Sequence, residues 1–449
     1  MRYTRKQKQH KQHRQYNKTL HNKTLNNKKH TLKFSKQNAR IHNVNTYTNT
    51  YYIVDCIGAE NNKLIFNVLE PYLKDLNLIP DKMMPIIRQL DLSFIKKHKI
   101  TPSNYCSINV HVPKLDKTIT NKLHPQLHPQ FMWYHINSIY LNNRFYNIKC
   151  NMINIINSSK LKSISDKRAL YTNMHLYCPK ICSKHMANTF KINDFNKYIG
   201  LDTTSNTTSY YILRPIDSYS GIDILYISSK AELADAIEYY KKTKNYKGKK
   251  YGTDVIASTY IINPLLFKGY KFHLRMYYLI SFINGKFNSF LYDNYGKILT
   301  AGRPYDIKKP FTKEVHDTHV KYSSEDNSFP KDFNENTISE NYVSPNHIIK
   351  QMQDILKGVS IILKKTKGQW LFENQQHGFQ FLGIDFMIDT NGCVFLIECN
   401  TSPGFNYSNS ANSYKFSQNL FKWINETILE PYYKKTNPKL HSTYLDLHP

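Results

Sequence analysis

The 449-residue chain has no acidic residue before Asp55, while residues 1–54 hold 13 Lys or Arg. Over the whole chain 33 Asp and Glu face 62 Lys and Arg, a net charge of +29. Removing the first 54 residues still leaves 29 − 13 = +16, so the cationic excess is more than a tail. It excludes a strongly acidic binder and fits a polyanionic partner: nucleic acid, acidic protein tails or an anionic surface. The plainer alternative is AT-rich coding, which enriches Lys, Asn, Ile and Tyr without selection for binding; the 35 tyrosines suit it. Cysteine is scarce, seven residues at scattered positions, and the odd number argues against a disulfide framework. Reduced thiols in an intracellular protein are expected, placing the chain in the cytoplasm. Cys178, Cys182 and His185 lie close together, but their spacing suits zinc poorly, and a structural role is expected. No apolar run is long enough to span a membrane, and the N-terminus has no apolar segment of the secretory type.

Residues 1–45 are Lys, Gln, His and Asn with almost nothing to bury, and read as a disordered basic arm. The rest divides into an N-terminal domain over 46–165, a central subdomain over 166–260, a C-terminal subdomain over 261–435 and a tail over 436–449. The class is α/β, of the α+β kind, with antiparallel sheets flanked by helices. A strand is expected at Tyr51–Asp55 and another from Phe131.

Farther along, Tyr210–Pro215 is a strand that carries Arg214. A turn rich in hydroxyl groups, with Ser220 and Gly221, leads to a second strand over Ile222–Ile227. Such a turn can offer backbone N–H groups to phosphate, with Arg214 as the counter-charge. Many surface hairpins share this pattern. Ala231–Lys241 reads as a helix and Thr259–Pro264 as a strand stopped by proline. In Tyr270–Ile280 the alternation puts Lys271, His273 and Arg275 on one face, opposite Phe272, Leu274 and Met276. Two cations and a histidine in a row suit a polyphosphate wall, or equally a solvated outer face. A strand over Phe287–Tyr292 leads towards Ile298–Tyr305. Residues 306–345 read as a long polar loop, a candidate lid. Helices follow over His347–Lys365 and Tyr414–Leu429.

The strongest stretch is His377–Phe405. Two apolar strands, Phe379–Asp389 and Cys393–Asn400, flank Asn391-Gly392, the dipeptide of two-residue hairpin turns. That turn sets Asp389 opposite Val394 and Asp385 opposite Glu398, and Asn400 joins them two residues on. Two carboxylates and an amide on one side of apolar strands suit a hard cation, Mg²⁺ above all. A carboxylate pair solvated or paired with lysine at a sheet edge is the alternative.

HGFQFLGIDFMIDTNGCVFLIECNTSPGF resembles the metal-binding end of the tubulin-tyrosine-ligase-like family, in the ATP-grasp fold. YILRPIDSYSGIDI, YIINPLLFKGYKFHLR, TAGRPY and HDTHVKYS resemble further segments of that family in the same order, as Trp133 and Lys167-Arg168-Ala169-Leu170 do more faintly. The resemblance runs from about residue 131 to 405. It implies an ATP- and Mg²⁺-dependent ligase joining an amino acid, glutamate or tyrosine, to a protein carboxylate through an acyl-phosphate. Acidic tubulin tails would be the acceptor. It further implies that Asp385, Glu398 and Asn400 hold Mg²⁺ and that Lys271 contacts the nucleotide. Tyr260 and Ile261 would line the adenine pocket, while Arg303 and Arg275 serve the transferred group. Arg214 stands where the family has lysine, the phosphate turn has one glycine, and His273 and His319 stand where the family has Asp and Asn. These departures bear on amino-acid specificity and on activity. Other readings are the same chemistry on a non-tubulin protein or peptide, or an inactive module that binds ATP and polyanions such as microtubules. Nucleic acid is the weakest partner, and a monomer is expected.

Overall fold

The computed structural model separates Met1–Thr48 from Asn49–Pro449. It describes residues 161–194, 210–216, 221–245, 248–283, 286–308, 311–318, 327–338, 342–366, 377–401, 403 and 411–436. Before these it describes short pieces at 51–54, 71–72, 75, 79–80, 131–133 and 152–153. The basic arm expected over 1–45, Ser220 and His319 lie outside the described residues.

The first sheet is parallel rather than antiparallel. Tyr51–Val54 (β1), Ile79–Pro80 (β2), Phe131–Trp133 (β3) and Met152–Ile153 (β4) run in the order β2-β1-β3-β4. Three short helices follow: α1 (Lys162–Ser165), α2 (Lys167–Tyr177) and α3 (Pro179–His185). The start of α2 is fixed by Asp166, whose Oδ1 accepts from the backbone N–H of Arg168 and Ala169, both at 2.9 Å.

The second sheet is antiparallel, built from β5 (Thr189–Lys191), β6 (Tyr211–Pro215), β7 (Leu225–Ile227) and β8 (Val255–Thr259) in the order β5-β8-β6-β7. Helix α4 (Lys230–Lys242) covers it, burying Leu233, Ala236 and Tyr240 against Leu213, Ile227, Val255 and Ala257. The strand expected at Thr259–Pro264 falls one segment earlier. Val255–Thr259 carries the ladder to both β5 and β6, and Tyr260–Asn263 is the connection beyond it. Proline cannot extend a ladder, and the Asn263 carbonyl instead accepts from Thr390 N–H at 2.9 Å.

The third sheet holds β9 (Leu266–Phe267), β10 (Tyr270–Ile283) and β11 (Lys286–Thr300). Helix α5 (Lys313–His316) intervenes before β12 (Ser328–Phe329). Helix α6 (Pro345–Lys365) precedes β13 (His377–Ile388) and β14 (Val394–Asn400). Its order is β12-β11-β10-β13-β14, with β9 on the start of β10. The strand expected over Phe287–Tyr292 continues to Thr300, interrupted where the pairing jumps from Tyr277–Tyr292 to Arg275–Lys297. The polar segment 306–345 is not a structureless loop: it carries α5, and β12 covers part of the outer edge of β11.

Helix α6 begins at Ser344, whose hydroxyl accepts from His347 N–H, with Pro345 in its first turn and Lys364 and Lys365 in its last. Its apolar residues Ile348, Met352, Ile355, Val359 and Ile362 recur at helical spacing and are fully buried. They pack on the even face of β10, with Leu274, Met276, Tyr278 and Ile280, and on Leu382, Ile384 and Phe386 of β13. Each such side chain contributes about 1.5–3 kcal/mol on burial. The odd face of β10 changes character along its length. Beyond Arg275 it is aromatic core, where Tyr277 stacks on Phe381 with centroids 5.4 Å apart. Helix α7 (Ala411–Ile424) covers this half with Phe416, Leu420 and Phe421. The helix expected over Tyr414–Leu429 passes at Asn425–Leu429 into a π-helical turn and then α8 (Glu430–Lys434). The first half of the same face is the wall of a cavity.

Candidate active site

The cavity, of about 290 Å³, lies between the second and third sheets. From the second sheet it takes Ile212, Arg214, Gly221, Ile224, Tyr226 and Ser258, and from the third Lys271, His273, Arg275, Asp385, Met387, Glu398 and Asn400. Tyr260 and Ile261 lie in the link that joins the sheets.

The carboxylate end is made by β13 and β14. The expected two-residue turn is in fact a three-residue loop, Thr390–Gly392, closed between Asp389 and Cys393. Only Gly392 takes a left-handed φ, +76°, so Asn391 does not supply the second positive φ that the shorter turn requires. Carried forward alone, the longer loop would set Glu398 opposite Ile384, on the core face. A β-bulge at Ile397 restores the pairing: Leu396 faces Phe386, and Glu398 faces Asp385. Asn400 Nδ2 then donates to Asp385 Oδ2 at 3.2 Å and to Glu398 Oε1 at 3.0 Å, drawing the two carboxylates together.

Both carboxylates meet cations. The Arg275 guanidinium forks onto Asp385, with Nε donating to Oδ1 and Nη2 to Oδ2, the latter at 2.7 Å. Room for this fork comes from Gly383, where a Cβ would lie 2.7 Å from Pro403 Cβ and 3.0 Å from Arg275 Cδ. Lys167, the first residue of α2, places Nζ 3.2 Å from Glu398 Oε2. Its aim follows from the Asp166 cap.

At the other end, Lys271 is 3% exposed. Its Nζ donates to Tyr260 Oη at 2.8 Å and to the His316 carbonyl at 3.0 Å, and lies 4.3 Å from the Tyr260 ring centroid. Burial pulls the ammonium down to about 7, with Asp317 opposing the fall and Arg214 adding to it. Burial, with Lys271 beside it, lowers His316 to about 4, so its ring is neutral at physiological pH. Its Nδ1 meets the Tyr260 hydroxyl at 2.8 Å. Burial likewise raises the Tyr226 and Tyr260 hydroxyls, which stay protonated. His273 meets Thr318 Oγ1 through Nδ1 at 2.5 Å and turns Nε2 to within 3.9 Å of Asp385 Oδ1. Arg214 donates from Nη2 to Ser258 Oγ at 3.1 Å and from Nη1 to the carbonyl of the bulged Ile397 at 3.5 Å, while its Nε is buried without a hydrogen bond. Loss of water lowers this guanidinium's pKa, and Glu398 opposes the fall.

The cavity therefore brings together Arg214, Gly221, Tyr260, Ile261, Lys271, His273, Arg275, Asp385, Glu398 and Asn400. Arg303 is not among its lining residues: it lies exposed after β11, its backbone N–H donating to the Glu314 carbonyl at 2.9 Å. Sequence reasoning missed Asp317, Tyr226 and Ser258, and noticed Lys167 only through a faint resemblance. Asp317 lies in a segment read as loop, and no local pattern marks a lone carboxylate as buried. Cys178 and Cys182 are buried in the core beside α6, and His185 Nδ1 donates to the Val394 carbonyl at 2.8 Å. Among the described residues no group of three or more His, Cys, Asp or Glu has metal-ligand geometry. The donor set Asp385, Glu398 and Asn400, two carboxylates and an amide within hydrogen-bond reach, fits a hard divalent ion that keeps water and phosphate oxygens as its other ligands. No helix among the described residues is long and apolar enough to cross a membrane.

Comparison with known proteins bears on this cavity. A probable tubulin–tyrosine ligase of Schizosaccharomyces pombe is 26% identical over 190 residues, 41% of this chain and 44% of the relative. Tubulin glycylase 3C of Tetrahymena thermophila is 24% identical over 243 residues, 51% of this chain and 21% of the relative. The chain thus spans less than half the length of these curated relatives. Among solved structures, the C-terminal domain of Pby1 from K. lactis superimposes with a TM-score of 0.50 at 16% identity. The match covers 88% of this chain and 98% of that domain, an ATP-grasp enzyme that interacts with the mRNA decapping enzyme Dcp2. The fold is therefore ATP-grasp. The model of the tubulin-tyrosine ligase family matches residues 142–435, well over half of the sequence, and the chain belongs to that family.

Proposed function

We propose that this protein is an ATP-dependent ligase that forms an amide bond between a protein carboxylate and an incoming amino acid. Family and fold support an ATP-dependent protein-modifying ligase. The observation that carries the assignment to this cavity is its polarity. An all-oxygen set, Asp385, Glu398 and Asn400, lines the same cavity as the buried Lys271 and the guanidinium groups of Arg214 and Arg275. With a divalent ion at the carboxylate end, the polyanionic triphosphate of ATP would have the complementary distribution of charge. Asp385, Glu398 and Asn400 would hold the divalent ion, Mg²⁺ as the first candidate. Bound there, the ion would neutralise phosphate charge that the carboxylates would otherwise repel.

The chain's own groups do the remaining work by position and charge. Lys271 and Arg214 hold phosphate oxygens, Lys271 as a point charge and Arg214 as a planar fork. Tyr260 orients the Lys271 ammonium through its hydroxyl and ring. Ile212, Ile224, Ile261, Tyr226 and Met387 give an apolar lining for the base and exclude water. Arg275 and Lys167 neutralise Asp385 and Glu398 and are placed to pass to the anionic acceptor. The acceptor proposed first is an acidic tail of tubulin, in the cytoplasm, because the chain carries +16 outside its first 54 residues. Tubulin modification is also named in both curated relatives. The incoming amino acid is glutamate or tyrosine, with glycine the third candidate.

Purified protein incubated with Mg·ATP, tubulin and labelled glutamate, tyrosine or glycine tests this directly. Label entering tubulin from one of the three, and absent with Glu398→Gln, is the expected result. A second reading, a nucleotide-binding module without ligase activity, draws on His273 in the cavity wall where the family has Asp. Mg·ATP binding with no label from any amino acid, on tubulin or other acidic proteins, would favour it.

A further inference from the structure

The turn at Gly221–Asp223 feeds Gly221, Ile224 and Tyr226 into the cavity wall, and it is held from both sides. Gly221 and Asp223 both take left-handed backbone conformations, φ +67° and +58°. On one side Lys313, the first residue of α5, donates from Nζ to the Gly221 carbonyl at 3.0 Å. The same ammonium lies 3.4 Å from Asp317 Oδ2. Asp317 fills the space beside Gly221 so closely that a Cβ there would lie 2.1 Å from Oδ2. Helix α5 is itself anchored, since the backbone N–H groups of Gly302 and Arg303 donate to the Glu314 carbonyl at 2.8 and 2.9 Å. On the outer side Asp223 accepts from the Tyr239 hydroxyl at 2.7 Å and the Tyr251 hydroxyl at 2.8 Å, and its carbonyl accepts from the Tyr240 hydroxyl at 2.8 Å.

We propose that Lys313 and Asp317 are positioning residues that clasp the Gly221–Asp223 turn, fixing one wall of the nucleotide cavity before the nucleotide arrives. An isolated left-handed turn has alternatives, and binding would have to order it. Here the wall is made rigid by contacts from two segments distant in sequence, so that cost is met on folding. Lys313 is the informative position: its side chain is 52% exposed, so truncating it leaves the core untouched. The clasp rests on reading the cavity as a nucleotide site, and the test separates the two claims.

Hydrogen–deuterium exchange of a peptide covering residues 221–227 reports on the turn without nucleotide, and titration with Mg·ATP reports on affinity. In Lys313→Met the peptide should exchange about tenfold faster and Mg·ATP should bind about tenfold more weakly, at a temperature well below the melting temperature of the variant. Lys313→Arg, which keeps the donor and the charge, should restore both. Unchanged exchange in Lys313→Met would overturn the clasp, whatever happens to affinity. Faster exchange with unaltered Mg·ATP binding would overturn its role in positioning. A wild-type protein that binds no Mg·ATP, yet shows the exchange difference, would overturn the nucleotide reading and with it the positioning role.

Discussion

If the proposed nucleotide site holds, Lys271 should make nucleotide affinity a function of pH. The groups that face it are Tyr260 from the link, His316 at the end of α5, Asp317 just after it, and Arg214 from β6. Of these His316, lowered to about 4, and the raised Tyr260 hydroxyl keep one protonation state between pH 7 and 9. In the free protein burial holds the Lys271 ammonium at about 7. A polyphosphate beside it favours the charged form and returns its pKa towards the ordinary value. Binding therefore takes up a proton at any pH above 7, and affinity falls as pH rises. With only the protonated lysine competent, the apparent Kd grows as 1 + 10^(pH − 7). That is about a fivefold loss from pH 7 to 8 and nearly tenfold more by pH 9. Calorimetry with excess Mg²⁺, in two buffers of different ionisation enthalpy, would measure both the slope and the proton uptake. Starting at pH 7 keeps most of the terminal phosphate ionisation out of the range. Lys271→Met should bind weakly at every pH and lose the slope. An affinity constant within twofold from pH 7 to 9, with no proton uptake, would refute the placement of the phosphates at Lys271.

Glu398→Gln should keep the fold and lose ligation. The amide oxygen can still accept from Asn400, and the ion pair to Lys167 is worth about 1 kcal/mol, so the melting temperature should move by at most about 2–4 °C while label incorporation falls at least about a hundredfold. Gly383→Ala should push Arg275 off Asp385, lowering stability by about 1–3 kcal/mol in denaturant titration and reducing Mg·ATP affinity. Asp166→Ala should cost about 1 kcal/mol through two lost cap hydrogen bonds; with Lys167 less firmly aimed, turnover should fall more than affinity. Leu356→Ala, in the core beneath the third sheet, should cost about 2–5 kcal/mol with no effect on ATP affinity below the melting temperature.

Periodicity made α4 and α6 legible, because each pairs a regular apolar face with a polar one over ten or more residues, and a shorter alternation did the same for the start of β10. It also placed Lys271, His273 and Arg275 side by side. The pairing of Asp385 with Glu398 was reached by a path the chain does not take: the loop is one residue longer than Asn391-Gly392 implies, and the bulge at Ile397 offsets it. Neither is visible locally, since a bulge is set by what packs on both faces of a strand. The boundary at Thr259 was missed because Tyr260-Ile261-Ile262 has strand-like residues but no strand to pair with. Asp317 and Arg303 show the limit from opposite sides. One is buried in the cavity wall, inside a segment that resembles the family but with nothing to single it out, while the other, singled out by its resemblance to a family arginine, is exposed beside α5.

The division of β10 also bears on how such a protein can change its ligand over generations. Its even-numbered residues from Leu274 to Ile280 are committed to volume, packed with α6. Its odd-numbered residues from Tyr277 onward are committed in the same way to α7. Positions 271, 273 and 275 alone answer to the contents of the cavity. On the proposed function, replacing one of them would alter what the protein recognises while leaving both hydrophobic layers in place, and His273, where the resemblance gives the family Asp, is the position that bears on it. Under that reading substrate choice would have a fixed address: three alternate residues at the start of one strand.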